Sequence, residues 1–282
     1  MIVIVDLSNV MWSTFHSSLK FNRVEADTCP KAYTGHVEFF HQKFVKILQD
    51  QPCHDYFFAL DRKPVKKYQM FSEYKRTRGK IKFDPKPAIM DVLISWGSKV
   101  IYSEDNEADD AIASYIGAHL DTAITVASTD KDLWQLCEIP HVKVYNFHKG
   151  NFVTPVELKE AYELDSFAHV KLHKTLWGDS SDNVPNLVPR MQKQLLPLIK
   201  KSDGSLRSFW KTFEENKSEL SKKCIETLET NRDKLKINYE LVRLNFDCEV
   251  IVEVAKKEEK KKEEEKEIKQ VFPDFSPEEV PF

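Results

Sequence analysis

The chain has 282 residues, 41% of them hydrophobic, and a net charge of −3. These values suffice for one large domain, or one domain with a helical extension, built on a proper core. Five scattered cysteines without a CxxC pair argue against a disulfide scaffold or a zinc site, and no apolar stretch nears the ~18 residues of a membrane span. The opening MIVIVDLSN has no basic segment and only a short apolar run, so no export signal is expected. The expectation is a soluble, cytoplasmic protein.

Residues 2–5 are an apolar, β-branched run ended by Asp6, which reads as a short buried strand of a parallel sheet. Residues 35–49 carry Val37, Phe40, Phe44, Ile47 and Leu48 at helical spacing. YFFAL, residues 56–60, is a second strand, ended by Asp61. Strand, helix, strand is the start of an α/β fold. Residues 62–86 break the rhythm with basic residues and interleaved aromatics, and read as an insertion standing off the core. A helix over 87–96, a strand over 99–102 and a helix over 107–120 follow. The strand AITVAS, the short helix KDLWQLC and the strand VKVYNF complete the sheet region near residue 153. Beyond Pro155 the pattern turns helical, over 155–163, 166–177, 190–200, 205–214 and 217–243, the last with a break near Asn231. Residues 244–254 read as an extended return. The tail begins with like-charge blocks, KKEEKKKEEEKE, which lack an apolar stripe and suit a solvated tether.

Nine carboxylates fall at the boundaries of these elements: Asp6, Asp61, Glu107, Asp109, Asp110, Asp130, Asp132, Asp179 and Asp182. Asp6, Asp61 and Asp130 follow strands, and ligands of open α/β sheets gather outside the carboxyl ends of strands. Helix capping accounts for one or two acids at Glu107–Asp110, not for three in four positions. Carboxylates brought together repel unless cations hold them, and an all-oxygen set suits Mg²⁺ or Mn²⁺. The nine histidines show no zinc pattern. Between Arg62 and Lys82 there are nine basic residues against the single acid Glu73, a local charge of +8. Acids that hold metal beside bases that hold phosphate are the expected footprint of a nuclease.

The order of these motifs resembles the 5′-nuclease family, the structure-specific 5′→3′ exonucleases and flap endonucleases, and most closely the bacteriophage ribonuclease H type. An aspartate ends each of the first two strands (Asp6, Asp61). A basic Tyr74-Lys75 segment reaching Arg78 comes next, then Glu107-Ala108-Asp109-Asp110, then Ser128-Thr129-Asp130-Lys131-Asp132. Gly178-Asp179 through Asp182-Asn183 closes the series. The likeness covers roughly residues 1–250. It implies a PIN-like α/β core, a central and mainly parallel sheet flanked by helices, over residues 1–153 with a basic helical gateway at about 62–98. A helical duplex-binding region over 154–250 and a flexible charged tail over 251–282 follow.

The resemblance also implies two Mg²⁺ or Mn²⁺ ions. Asp6, Asp61, Glu107 and Asp109, with Asp130 and Asp132, would surround the tighter one; Asp110, Asp179 and Asp182 would face a weaker one. Catalysis would rest on Asp6, Asp61, Asp132, Lys75 and Arg78, with Tyr74 stacking on a terminal base. Lys66, Lys67 and Arg76 would add steering charge. The family's glycine-rich hairpin is replaced here by VPNLVPRMQKQLLPLIKKS, so Arg190, Lys193, Lys200 and Lys201 are expected to hold the duplex by side chain. The implied activity removes RNA primers and short 5′ flaps during phage DNA replication, in the host cytoplasm. The implied partners are DNA and RNA/DNA hybrid for a monomer, and a replication clamp or single-strand-binding protein for the tail. The competing readings are a non-catalytic junction-binding protein and an RNA-processing nuclease on the same fold.

Overall fold

The computed structural model describes residues 1–25, 28–30, 33–76 and 83–256. Alternating apolar runs and amphipathic segments build a seven-stranded sheet among these residues, in the order β6-β5-β4-β1-β2-β3-β7. Here β1 is Ile2–Asp6, β2 Asp55–Ala59, β3 Lys99–Tyr102, β4 Ile124–Ala127, β5 Val142–Asn146, β6 Asn151–Phe152 and β7 Ile251–Val254. The five central strands run parallel, and β6 and β7 close the two edges antiparallel. β1 is buried on both faces, which explains its unbroken apolar run. Chain order reverses beside it: β2 and β3 lie on one side and β4 and β5 on the other. The crevice outside the carboxyl ends of β1 and β4 is the place where such sheets bind ligands.

Side-chain alternation divides the core. Val3 and Val5 face α1 (Leu7–Phe21), α2 (Gly35–Asp50) and α4 (Lys86–Ser95), through Val10, Met11, Phe40, Phe44, Ile89 and Leu93. Ile2 and Ile4 face α5 (Ala108–Gly117) and belong to a cluster that continues into the helical second half. That half comprises α6 (Pro155–Tyr162), α7 (Val170–Trp177), α8 (Gln192–Lys201), α9 (Leu206–Glu215), α10 (Lys222–Thr230) and α11 (Arg232–Val242). Buried Asn238 of α11 donates to Thr175 O at 3.0 Å and Pro185 O at 2.9 Å, locking α11 onto α7 and the loop after it. Among the described residues no helix is long and apolar enough to cross a membrane.

Several expectations change. Helix α1 does not appear in the sequence reading because polar residues sit on its buried face. Thr14 and Ser18 hydroxyls bond back to carbonyls of their own helix, so burying them leaves no donor stranded. Among the described residues, the basic insertion does not stand off the core. Its α3 (Val65–Met70) and the turn after it pack through Tyr68, Phe71 and Tyr74 onto Val184, Leu241 and Val242, and α4 fills the main core. The stretch 217–243 does break at Asn231, into α10 and α11. Residues 251–254, where the extended return 244–254 and the expected tail overlap, are the edge strand β7, paired with β3. Residues 257–282 lie outside the described residues, as do Arg78, Lys80 and Lys82.

Candidate metal centre and its lysine partners

The acids reach the crevice because the elements that carry them are tied end to end. Asp6 caps α1, accepting from the Asn9 N–H at 3.1 Å, and its other oxygen accepts from Ser128 Oγ at 2.8 Å. Asn9 Oδ1 accepts from both the N–H and the hydroxyl of Thr129 at 2.9 Å. These bonds fix the end of β1 to the loop after β4. Asp61 caps α5 across the chain, accepting from the Ala108 N–H at 2.9 Å. Glu107, the residue next to that helix start, makes no cap bond of its own and is left to enter the crevice. Asp130 accepts from the Asp132 N–H at 2.8 Å. Asp179 opens a tight loop and accepts from Ser181 N–H at 2.8 Å. Gly178 makes that loop possible: its φ is +74°, and a Cβ there would lie 2.4 Å from Val184 O.

Carboxylate oxygens of Asp109, Asp130 and Asp132 lie within 4.8 Å of one another. The electrostatics record the crowding. Burial, then Asp130, Asp6 and Asp132, push the Asp109 carboxyl well above the usual range. Burial, then Asp61, push Asp6 up to about 7. Burial carries Asp132 up to about 7 as well, although Lys174 pulls the other way. Oxygen donors this close, with Asp6, Asp109 and Asp132 pushed toward their neutral forms, fit a hard divalent cation.

Glu107, Asp110, Asp179 and Asp182 instead face lysine side chains. Lys67 Nζ lies 2.6 Å from Glu107 Oε2 and 3.2 Å from Asp110 Oδ2. Lys75 pairs with Glu107 and stands 3.6 Å from Asp182 Oδ2. The Tyr74 hydroxyl donates to Glu107 at 2.9 Å and to Asp182 at 3.0 Å. Burial alone would raise Glu107, but Lys67 and Lys75 outweigh it and hold the carboxyl well below its usual range. On the other flank Lys174 pairs with Asp132 and reaches Asp179 Oδ2 at 2.6 Å. Asp179 is held down to about 2, with Lys174 outweighing burial.

Three expectations are corrected here. Tyr74 cannot stack on a base in this arrangement: it is 1% exposed and its hydroxyl is spent on two acids. Lys67 is no diffuse steering charge but a partner of the acids. Asp110 is held on both sides, by Lys67 and by the Asn245 N–H at 2.9 Å, which makes it a structural anchor. Lys174 was absent from the sequence reading. Its signal was a lysine on the buried stripe of α7, beside Val170, Leu172 and Thr175. The remaining basic candidates lie elsewhere. Lys66 is exposed, and Arg76 pairs with Glu73 at the surface. Arg190 and Lys193 are exposed around the start of α8; at its end Lys200 pairs with Asp165 at 2.7 Å and Lys201 donates to Asn216 at 2.6 Å.

Comparison with known proteins agrees with this architecture. Residues 1–163 match the family described as 5'-3' exonuclease, N-terminal resolvase-like domain. DNA polymerase I of Bacillus subtilis is 30% identical over 233 residues, 79% of this chain. The chain spans about a quarter of that relative, 26% of its length. A 5'-3' exonuclease of Buchnera aphidicola from Acyrthosiphon pisum is 24% identical over 90% of this chain and 89% of its own. Among solved structures, the bacteriophage T5 flap endonuclease in a pseudo-enzyme–product complex with DNA and metal ions superposes with a TM-score of 0.62. That match covers 86% of this chain and 88% of the other at 17% identity, a likeness of fold. The T5 5'-exonuclease with bound zinc gives a TM-score of 0.65 at 18% identity, over 86% and 88% of the two chains. With more than half of its length matched, the chain belongs to the 5′→3′ exonuclease family, in the part that carries the N-terminal resolvase-like domain.

Proposed function

We propose that this protein is a divalent-metal-dependent 5′→3′ nuclease that removes RNA primers and short 5′ flaps at duplex junctions during DNA replication. The observation that carries the reading is the approach of Asp109, Asp130 and Asp132 within 4.8 Å, with basic residues on both flanks. Two Mg²⁺ or Mn²⁺ ions fit the acids: Asp109, Asp130 and Asp132 with Asp6 and Asp61 for one, and Asp179 and Asp182 for the other. When bound, the metals would activate the attacking water and stabilise the leaving 3′-oxygen. The chain's own residues do the rest. Lys75 and Arg78 neutralise and grip the scissile phosphate. Tyr74 positions Glu107 and Asp182 from below. Lys67 keeps Glu107 ionised, and Lys174 does the same for Asp179. The helical region 154–250, with Arg190, Lys193, Lys200 and Lys201, holds the duplex. Phage replication, action in the cytoplasm as a monomer, and docking of the tail on a clamp or single-strand-binding protein belong to the same reading.

The test is cleavage of 5′-labelled flap and primer substrates, RNA and DNA, with and without Mg²⁺. Cleavage should require the metal and disappear in Asp132→Asn. Intact substrates with the wild-type chain, and an Asp132→Asn variant that behaves identically, would sink the proposal.

A further inference from the structure

A cleft of about 390 Å³ opens beside Asp130 and Asp179, on the β4–β5 side of the acidic centre. Lys75 approaches from the other side, through Glu107. The volume falls in the range of about 300–1,000 Å³ usual for clefts that take a small organic group. Two rings, Tyr162 and His173, stand in a lining that is otherwise mostly polar. Tyr162 and His173 pack edge to face with centroids 4.8 Å apart, and His173 packs in turn on Trp177 at 4.7 Å. Burial, then the charge of Lys174, hold His173 down to about 4, while burial holds the Tyr162 phenol up to about 12. Both are therefore neutral at neutral pH, with a hydroxyl, a ring donor and a ring acceptor to offer. A pair of neutral rings set among polar groups suits a nucleobase, with its apolar faces and polar edge.

The rim carries Lys131, set between Asp130 and Asp132 in the chain. Its Nζ lies 5.5 Å from the Tyr162 ring and 5.7 Å from the Trp134 ring, and it forms no ion pair with a described residue. Lys67, Lys75 and Lys174 are each engaged by carboxylates of the centre. Lys131 is the cation at this flank placed for an anion that a ligand brings. Ser180 and Ser181 also line the cleft.

We infer that this cleft is a nucleotide subsite: it takes the nucleoside joined to the phosphate at the acidic centre, with the base against Tyr162 and His173 and that nucleoside's other phosphate at Lys131. The inference rests on the nuclease reading, which puts the scissile phosphate at Asp109, Asp130 and Asp132. A strand that passes Lys75 and then the acids continues into the cleft. The nucleotide held there is the one that stays with the duplex, and hydrolysis leaves it with a 5′-phosphate. A nucleoside 3′,5′-bisphosphate therefore mimics it, with one phosphate at the acids and the other at Lys131.

The experiment is calorimetric titration of the magnesium-loaded full chain with a nucleoside 3′,5′-bisphosphate, the matching 5′-monophosphate and ribose 5-phosphate. Affinity should fall in that order, by about tenfold at each step, from one charge-assisted contact and one base contact. Lys131→Ala, at an exposed position, should abolish the first step and leave the second. His173→Ala should do the reverse, and His173→Leu keeps the bulk if the smaller side chain unfolds the region. Equal affinity for all three ligands, or a first step that survives Lys131→Ala, overturns the subsite. Flap cleavage, measured in parallel, separates the two ideas. A chain that cleaves without these steps loses the subsite and keeps the nuclease; one that shows the steps and never cleaves loses the nuclease reading.

Discussion

Magnesium should stabilise this protein more at pH 8 than at pH 6, and the difference can be worked from the acids. Asp6 and Asp132 both sit near 7 rather than near 3.8, through burial and then through neighbouring charge. A carboxyl whose pKa is raised on folding contributes stability that is fully present below its unfolded pKa and is lost as pH rises through its folded pKa. Without metal, these groups therefore weigh against the fold most at pH 8. Metal bound by the same oxygens removes that penalty at high pH and must displace protons at low pH. For one group near 7, going from pH 8 to pH 6 takes the folded state from about one-tenth to about nine-tenths protonated, worth about 1.4 kcal/mol. Two such groups give about 2.7 kcal/mol, and at about 2–4 °C per kcal/mol the increment in melting temperature should shrink by roughly 5 to 11 °C. Burial holds His36, His148 and His173 below the ordinary range, so they titrate in the opposite sense over this window. They contribute equally with and without metal and cancel in the difference. The assay is thermal unfolding in EDTA and in saturating Mg²⁺ at both pH values. A magnesium increment that is absent, or equal at the two, would falsify the assignment of these acids to a metal.

Three further outcomes are expected. Lys174→Met leaves Asp132 and Asp179 facing each other, and should lower stability by about 3 kcal/mol in EDTA, as for a broken buried pair, and by less in Mg²⁺; urea unfolding under both conditions measures it. Tyr74→Phe removes one donor shared by two carboxylates and should cost about 1.5–3 kcal/mol, read from the urea midpoint, while duplex affinity in a gel-shift assay stays unchanged. Lys75→Ala and Arg78→Ala should depress turnover more than duplex binding, with Lys193→Ala and Lys200→Ala doing the reverse; equal losses in single-turnover rate and affinity for all four refute that division.

What the sequence disclosed, and what it hid, follows from how each group is specified. Strand-end aspartates announce themselves: Asp6, Asp61 and Asp130 follow apolar runs, and the parallel sheet that those runs build brings them to one edge. Their order in the chain carries most of the site. Partnership between charges is specified by packing, which no local pattern encodes. Lys67 reads as a steering charge and Lys174 goes unremarked, yet each has its stem in the protein and its ammonium on two acids. The resemblance implies a base-stacking role for Tyr74; the apolar patch that buries it comes from Val184, Leu241 and Val242, more than 100 residues away. Helix α1 stayed hidden for the opposite reason, since its buried hydroxyls satisfy themselves on their own helix. A buried lysine costs more to misplace than a surface one, because its charge must find carboxylates or neutralise. The lysine on the apolar stripe of α7 was therefore the one sequence signal that could have disclosed this half of the site, and it argues that the basic residues here are as much a part of the acidic centre as the acids are.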